Sequence, residues 1–245
     1  MENYQTHVRF MKNILENYLA GSEIDSSQKK ENAGPVITIS RECGCSANRI
    51  AIKLSKILTG YNYQSGIKKD VEWKWVNKEV IEQAAWELEI NPEKIKSVFQ
   101  GEAKVSVHDV TTAFSTQKVY DADDQKVIDT VTGIIYQMAF KGNCVIVGRG
   151  AAIVARDIHR RLSLKLQAPL EWRINRIKQM SNLNYDAARE YVLEVDRQRD
   201  LFIEHLAGRK VDTNDFDVVF NTATLTDDQI VNAVVNLIRD KQIMD

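Results

Sequence analysis

Between residues 3 and 20, Tyr4, Val8, Met11, Leu15, Tyr18 and Leu19 recur at the spacing of one helix face, which predicts an amphipathic helix. Residues 21 to 34 are polar, carry two glycines and show no period, so they read as a linker. From Pro35 onward, short apolar runs alternate with helical patterns. Val36 to Ser40 is a strand rich in β-branched residues, followed by a helical stripe of Ile50, Leu54, Ile57 and Leu58 that ends near Gly60. A strand over 71–76 precedes a helix marked by Val80, Ile81, Ala84, Ala85 and Leu88. Asn91-Pro92-Glu93 opens another helix with a cap, a first-turn proline and an acid. Residues 101–123 show no clear period. Val127, Val131, Ile134, Ile135 and Met138 predict a helix running to Gly142, and Cys144 to Val147 is wholly apolar, as a strand buried on both faces is. A strand at 162–166, helices at 169–180 and 184–207, a strand at 216–222 and a helix at 226–240 complete the set. The alternation predicts an α/β fold: a mostly parallel sheet with helices on both faces, over 35–245, preceded by a helical extension and linker over 1–34. Ligands in such folds sit at the carboxyl ends of the strands.

Composition narrows the chemistry. The 33 basic and 34 acidic residues balance, so no overall field favours nucleic acid or anionic lipid, and any anion site is local. The three cysteines and the lack of a hydrophobic secretion core are expected of a cytoplasmic protein without disulfides. No apolar run reaches the ~18 residues that a membrane span needs. The four histidines are scattered without ligand spacing, so no metal site is indicated. Cys43-x-Cys45 lacks a second pair, although a thiol beside a helix N-terminus is expected to be more reactive than usual. The N-terminal helix is an element that could contact the main domain, a partner or a second copy.

Three strand ends carry unusual residues. After the first strand come Ser40, Arg41 and Glu42, then Gly44, then a helix starting near Ser46 whose free N–H groups and dipole suit an anion; an ordinary βα turn is the alternative. At the middle strand, Gly148-Arg149-Gly150 delivers a guanidinium to the ligand edge, as an oxyanion clamp or as half of a salt bridge. On the long helix, Arg199 falls inside the apolar stripe of Tyr191, Val195, Phe202 and Leu206, with Asp196 on its flank. It needs an anion, supplied either by Asp196 at i−3 or by a phosphate shared with other arginines. Arg173 and Arg176 either join that cluster or form a solvated helix face.

The order ITISRExG, VIVGRG, APLEWRINRI, DxxR and FDVVFNTxxLT resembles the cytidylate kinase-like family, relatives of the nucleoside monophosphate kinases, over roughly 35–240. The resemblance implies a P-loop NTPase-type three-layer fold with a five-stranded sheet. It also implies ATP and Mg²⁺ as cofactors, and a nucleotide and a small acceptor as partners. Ser40, Arg41, Glu42 and Gly44 match the family's loop in the place of the P-loop. Gly148 and Arg149 match a pair whose arginine binds the acceptor's phosphate; the aspartate that follows it in the family is Gly150 here. Asp196 and Arg199 match the DxxR whose arginine meets the transferring phosphate, whereas Asn77 stands where an acceptor-site aspartate is usual.

The departures concern catalysis. The family loop typically reads SREFGSGGREI, already without the P-loop lysine and Ser/Thr. Here Cys45, Ser46 and Ala47 replace SGG, and Asn48-Arg49 replaces RE, leaving less room for backbone N–H groups around a triphosphate. Arg41 or Arg49 is a substitute for the lysine charge; Ser46, Ser40 or Glu42 is the remaining choice of metal ligand. The expected activity is ATP-dependent transfer to a nucleoside monophosphate or similar acceptor, with Arg41, Arg149 and Arg199 stabilising the phosphoryl charge. The alternative is a catalytically impaired nucleotide-binding sensor or regulatory module. A protein with no nucleotide site would pair its arginines only with Asp and Glu.

Overall fold

The computed structural model describes residues 33–65, 72–77 and 122–244. The helices expected over 3–20, over 80–88 and from Asn91, and most of the 21–34 linker, lie outside the described residues. Five strands, β1 (Val36–Arg41), β2 (Lys74–Val76), β3 (Cys144–Val147), β4 (Arg161–Gln167) and β5 (Val218–Asn221), form one sheet in the order β2-β3-β1-β4-β5. Every pairing is parallel. Helices α1 (Ala47–Ser65), α2 (Ala122–Lys141), α3 (Ala151–Val154), α4 (Leu170–Ser181), α5 (Tyr185–Ala207) and α6 (Asp227–Asp240) connect and cover it.

Strand alternation sorts the core into two layers. Val36, Val76, Cys144 and Ile146 pack with Ile128, Ile134, Ile135 and Met138 of α2, and with Phe202 of α5. Ile37, Ile39, Val145, Val147, Leu164 and Leu166 face the other way, onto Ile50 and Leu54 of α1 and Ile230, Val231 and Val234 of α6. The sheet is thus the middle of three layers, as the apolar run of β3 predicted. Two helix starts are fixed by side chains: Asn184 accepts from the Ala187 N–H at 2.8 Å, and Thr226 forms a capping box with Gln229.

A third, smaller cluster positions the site. Ile174 and Ile177 of α4 and Ala188, Val192 and Val195 of α5 bury one another, and Cys43, from the loop after β1, is buried with them. The αα hairpin and the β1 loop therefore share one apolar core. Among the described residues no helix is long and apolar enough to cross a membrane.

Candidate anion-binding site

The strand order creates the crevice. From β1 the chain leads to β2 at one edge of the sheet, and from β4 it leads to β5 at the other, so neighbours β1 and β4 flank a topological switch point. A cavity of about 840 Å³ lies there, lined by Arg41, Cys45, Ser46, Ala47, Asn48 and Arg49 after β1 and by Trp172, Asn175, Arg176, Gln179 and Met180 of α4, with Arg199 of α5. Four arginines line it and, among the described residues, no carboxylate does.

The walls are held by a buried ion-pair hub that sequence reasoning left undecided. Arg173 of α4 is 7% exposed. Its Nε donates to the Ala168 carbonyl at 3.0 Å and lies 3.2 Å from Glu42 Oε2, while Nη1 is ion-paired with Asp196 Oδ2. Glu42 Oε2 also accepts from the Ala168 N–H at 3.0 Å, tying the end of β1 to the end of β4. The other oxygen of Asp196 accepts from the Cys43 N–H at 2.6 Å. Asp196 is thus primarily the partner of Arg173 and the loop. Arg199, its expected i−3 partner, stands 3.9 Å away and donates to the Arg41 carbonyl at 3.4 Å. The signal for Arg173 was the one used for Arg199: it shares a helix face with Leu170, Ile174 and Ile177, and a guanidinium on an apolar face requires anions.

Arg176, one turn along on the cavity side, has neutral partners. It hydrogen-bonds to Ser46 Oγ, and its guanidinium lies over the Trp172 ring at 5.0 Å. Arg49 pairs with Asp227 at 3.0 Å at the start of α6. The loop's own amides are partly occupied: Cys45 N–H donates to the Glu42 carbonyl at 3.2 Å and Ala47 N–H to the Cys45 carbonyl at 2.9 Å. With Cys43 N–H on Asp196, three donors of the segment point at protein rather than into the cavity.

Gly148-Arg149-Gly150 turns through three successive positive φ values, 75°, 54° and 68°. Each glycine makes room for something specific. A Cβ on Gly148 would overlap the Arg41 guanidinium, and one on Gly150 would overlap Leu206 Cδ1 of α5. A side chain in the place of the family's aspartate would therefore have to displace a leucine methyl. Arg149 itself holds a left-handed conformation and is not among the residues lining the cavity; nor is Ser40, which shares the sheet face of Val36 and Thr38.

The thiols behave differently from expectation. Cys43 and Cys45 are 4% and 6% exposed, and burial pushes the Cys43 thiol up to about 11, with the nearby Arg199 only partly opposing it. Cys45 is raised for the same reason, offset in part by the hydroxyl of Thr222, which donates to its sulfur at 3.2 Å. Burial is the largest influence on both thiols and holds them protonated, so the expectation of a more reactive thiol is corrected.

The sequence profile of the cytidylate kinase-like family matches residues 36–224. The chain belongs to this family. No curated protein matches its sequence. Among solved structures, an uncharacterized protein from Eubacterium ventriosum ATCC 27560 is similar at 18% identity and a TM-score of 0.58, over 84% of this chain and 98% of that one. Shikimate kinase from Bacteroides thetaiotaomicron matches at 12% identity and a TM-score of 0.42, over 84% of this chain and 96% of that one. Shikimate kinase from Acinetobacter baumannii, in complex with shikimate, matches at 13% and 0.46, over 84% and 94% of the two chains. The cytidylate kinase-like chain carries its arginine-lined cavity at the carboxyl ends of β1 and β4.

Proposed function

We propose that the protein is a nucleotide-binding sensor or regulatory module that holds the phosphates of its ligand in the arginine-lined cavity and has lost most phosphoryl-transfer capacity. The observation that carries this reading is the division of labour among the charged residues. Arg41, Arg176 and Arg199 line a cavity with no carboxylate among the described residues, while Glu42 and Asp196 are engaged by Arg173. Guanidinium groups suit phosphate oxygens, which they bind bidentately. The Trp172 ring, in the same wall, offers an apolar face to a base. The residues present fit the phosphates of ATP. They offer little to a protein-held Mg²⁺, which takes one or two carboxylates beside the phosphates, because among the described residues no carboxylate lines the cavity.

The phosphotransferase reading keeps one observation in its favour. Arg41 and Arg199 both line the cavity, where guanidiniums would stabilise charge on a transferring group. In that reading Arg149 holds the acceptor's phosphate. A thermal-shift screen of nucleoside mono-, di- and triphosphates, followed by coupled turnover assays of the hits, separates the two. Stabilisation by a nucleotide that is lost in Arg176→Ala, without turnover, supports the sensor. Turnover at rates ordinary for kinases, about 1–100 s⁻¹, overturns it.

A further inference from the structure

We infer that the cavity takes its phosphate ligand as the metal-free anion, so that Mg²⁺ competes with the protein for the ligand instead of bridging the two. The inference rests on the nucleotide-phosphate reading above and specifies the chemical form of the ligand. Among the described residues no carboxylate lines the cavity, and several of the oxygens that sequence and family place near the phosphates already have protein partners. The Ser46 hydroxyl accepts from Arg176. Glu42 Oε2 receives the Ala168 N–H and faces Arg173 Nε, and Asp196 receives the Cys43 N–H on one oxygen and Arg173 on the other. The position of the family's aspartate is Gly150, where a Cβ would overlap the Leu206 Cδ1 methyl.

What the cavity does offer a cation is unfavourable. Asn48, Asn175 and Gln179 bring only neutral amides. Mg²⁺ dehydrates reluctantly and is held through one or two carboxylates plus phosphate, not by neutral amides alone. Entering with a nucleotide, it would face the guanidiniums of Arg41, Arg176 and Arg199 across the phosphates. The same guanidiniums attract the free anion, which carries two more negative charges than its magnesium complex.

Isothermal titration of the full chain with ATP, and separately with inorganic tripolyphosphate, tests this in EDTA and in excess Mg²⁺ at constant ionic strength. Both ligands are expected to bind in EDTA, to bind about tenfold or more weakly in Mg²⁺, and to lose affinity in Arg176→Ala, checked for folding by circular dichroism. Equal or tighter binding in Mg²⁺ overturns the inference and leaves the nucleotide reading standing. Full affinity in Arg176→Ala, in a variant that melts like the parent, overturns the assignment of the metal-free anion to this cavity. Absence of binding under both conditions overturns the inference and the nucleotide reading together.

Discussion

Replacing Arg173 with methionine tests whether the hub holds the site together. The substitution keeps an unbranched side chain of similar length against Ile174 and Ile177, but leaves the Glu42 and Asp196 carboxylates facing each other across the space the guanidinium held. Breaking a fully buried pair by removing one partner costs about 3–5 kcal/mol. The side chains of Glu42 and Asp196 retain 28% and 18% exposure, so water recovers part of their solvation. A loss of about 2–3 kcal/mol follows, or roughly 5–10 °C in Tm for a domain of this size. Urea unfolding followed by far-UV circular dichroism measures it, provided the transition is two-state. The triple variant Arg173→Met, Glu42→Gln, Asp196→Asn removes both stranded charges and is expected to recover at least half of the loss. Arg173→Lys should fall between, since one ammonium cannot reproduce a planar fork reaching two carboxylates and a carbonyl. A single variant within about 0.5 kcal/mol of the parent, the range of ordinary surface changes, would refute the hub. So would a triple variant no more stable than the single one.

Gly150→Ala combines a left-handed φ with overlap on Leu206, and is expected to cost about 2–4 kcal/mol; Leu206→Ala in the same chain should return the steric part, read by a double-mutant cycle in urea. Gly148→Ala adds the same left-handed strain and also displaces the movable end of Arg41, so beside a lower Tm it should weaken tripolyphosphate binding measured by calorimetry below the Tm, and unchanged affinity would count against Arg41 as a ligand contact. The Cys43 thiol, raised from 9.0 to about 11, holds about a hundredfold less thiolate at neutral pH than an ordinary cysteine. Its alkylation by iodoacetamide in the native protein, followed by peptide mass spectrometry, should be slow at pH 8 and keep climbing beyond pH 9. By the same sign, protonated Cys43 contributes stability that is complete below the unfolded thiol's pKa and is lost as pH rises toward 11. A rate that levels off near pH 9 would contradict the burial.

Much of the fold was legible because local patterns agreed with the layered architecture. The apolar run of β3 coincides with the observed strand, the stripe of α2 coincides with its buried face, and α6 falls within the expected 226–240. Helix α1 continues past Gly60 to Ser65, since one glycine weakens a helix without ending it. The short α3 after Gly150 was not foreseen; four residues are too few for a periodic signal. In the site, Arg41, Ser46, Ala47, Asn48, Arg49 and Arg199 do come together around one cavity. What the sequence could not rank was which acid belonged to which arginine. Asp196 is closer along the chain to Arg199 than to Arg173, and pairing by helical spacing favours the wrong partner when a second helix brings a more deeply buried guanidinium. The roles of the two glycines around Arg149 were also invisible, because they depend on side chains from β1 and α5 that meet only after folding.

The insertion of Cys43 between α4 and α5, together with the contacts of Arg173, bears on how a ligand reaches the cavity. The β1 loop and α4 form its opposing walls, and one apolar cluster and one ion-pair hub already hold those walls in place. Parting them would break both. A ligand therefore enters a slot shaped in advance and does not have to organise these walls on arrival. Association through that opening should be a single fast phase whose rate follows ionic strength, and ligands should differ chiefly in how long they stay.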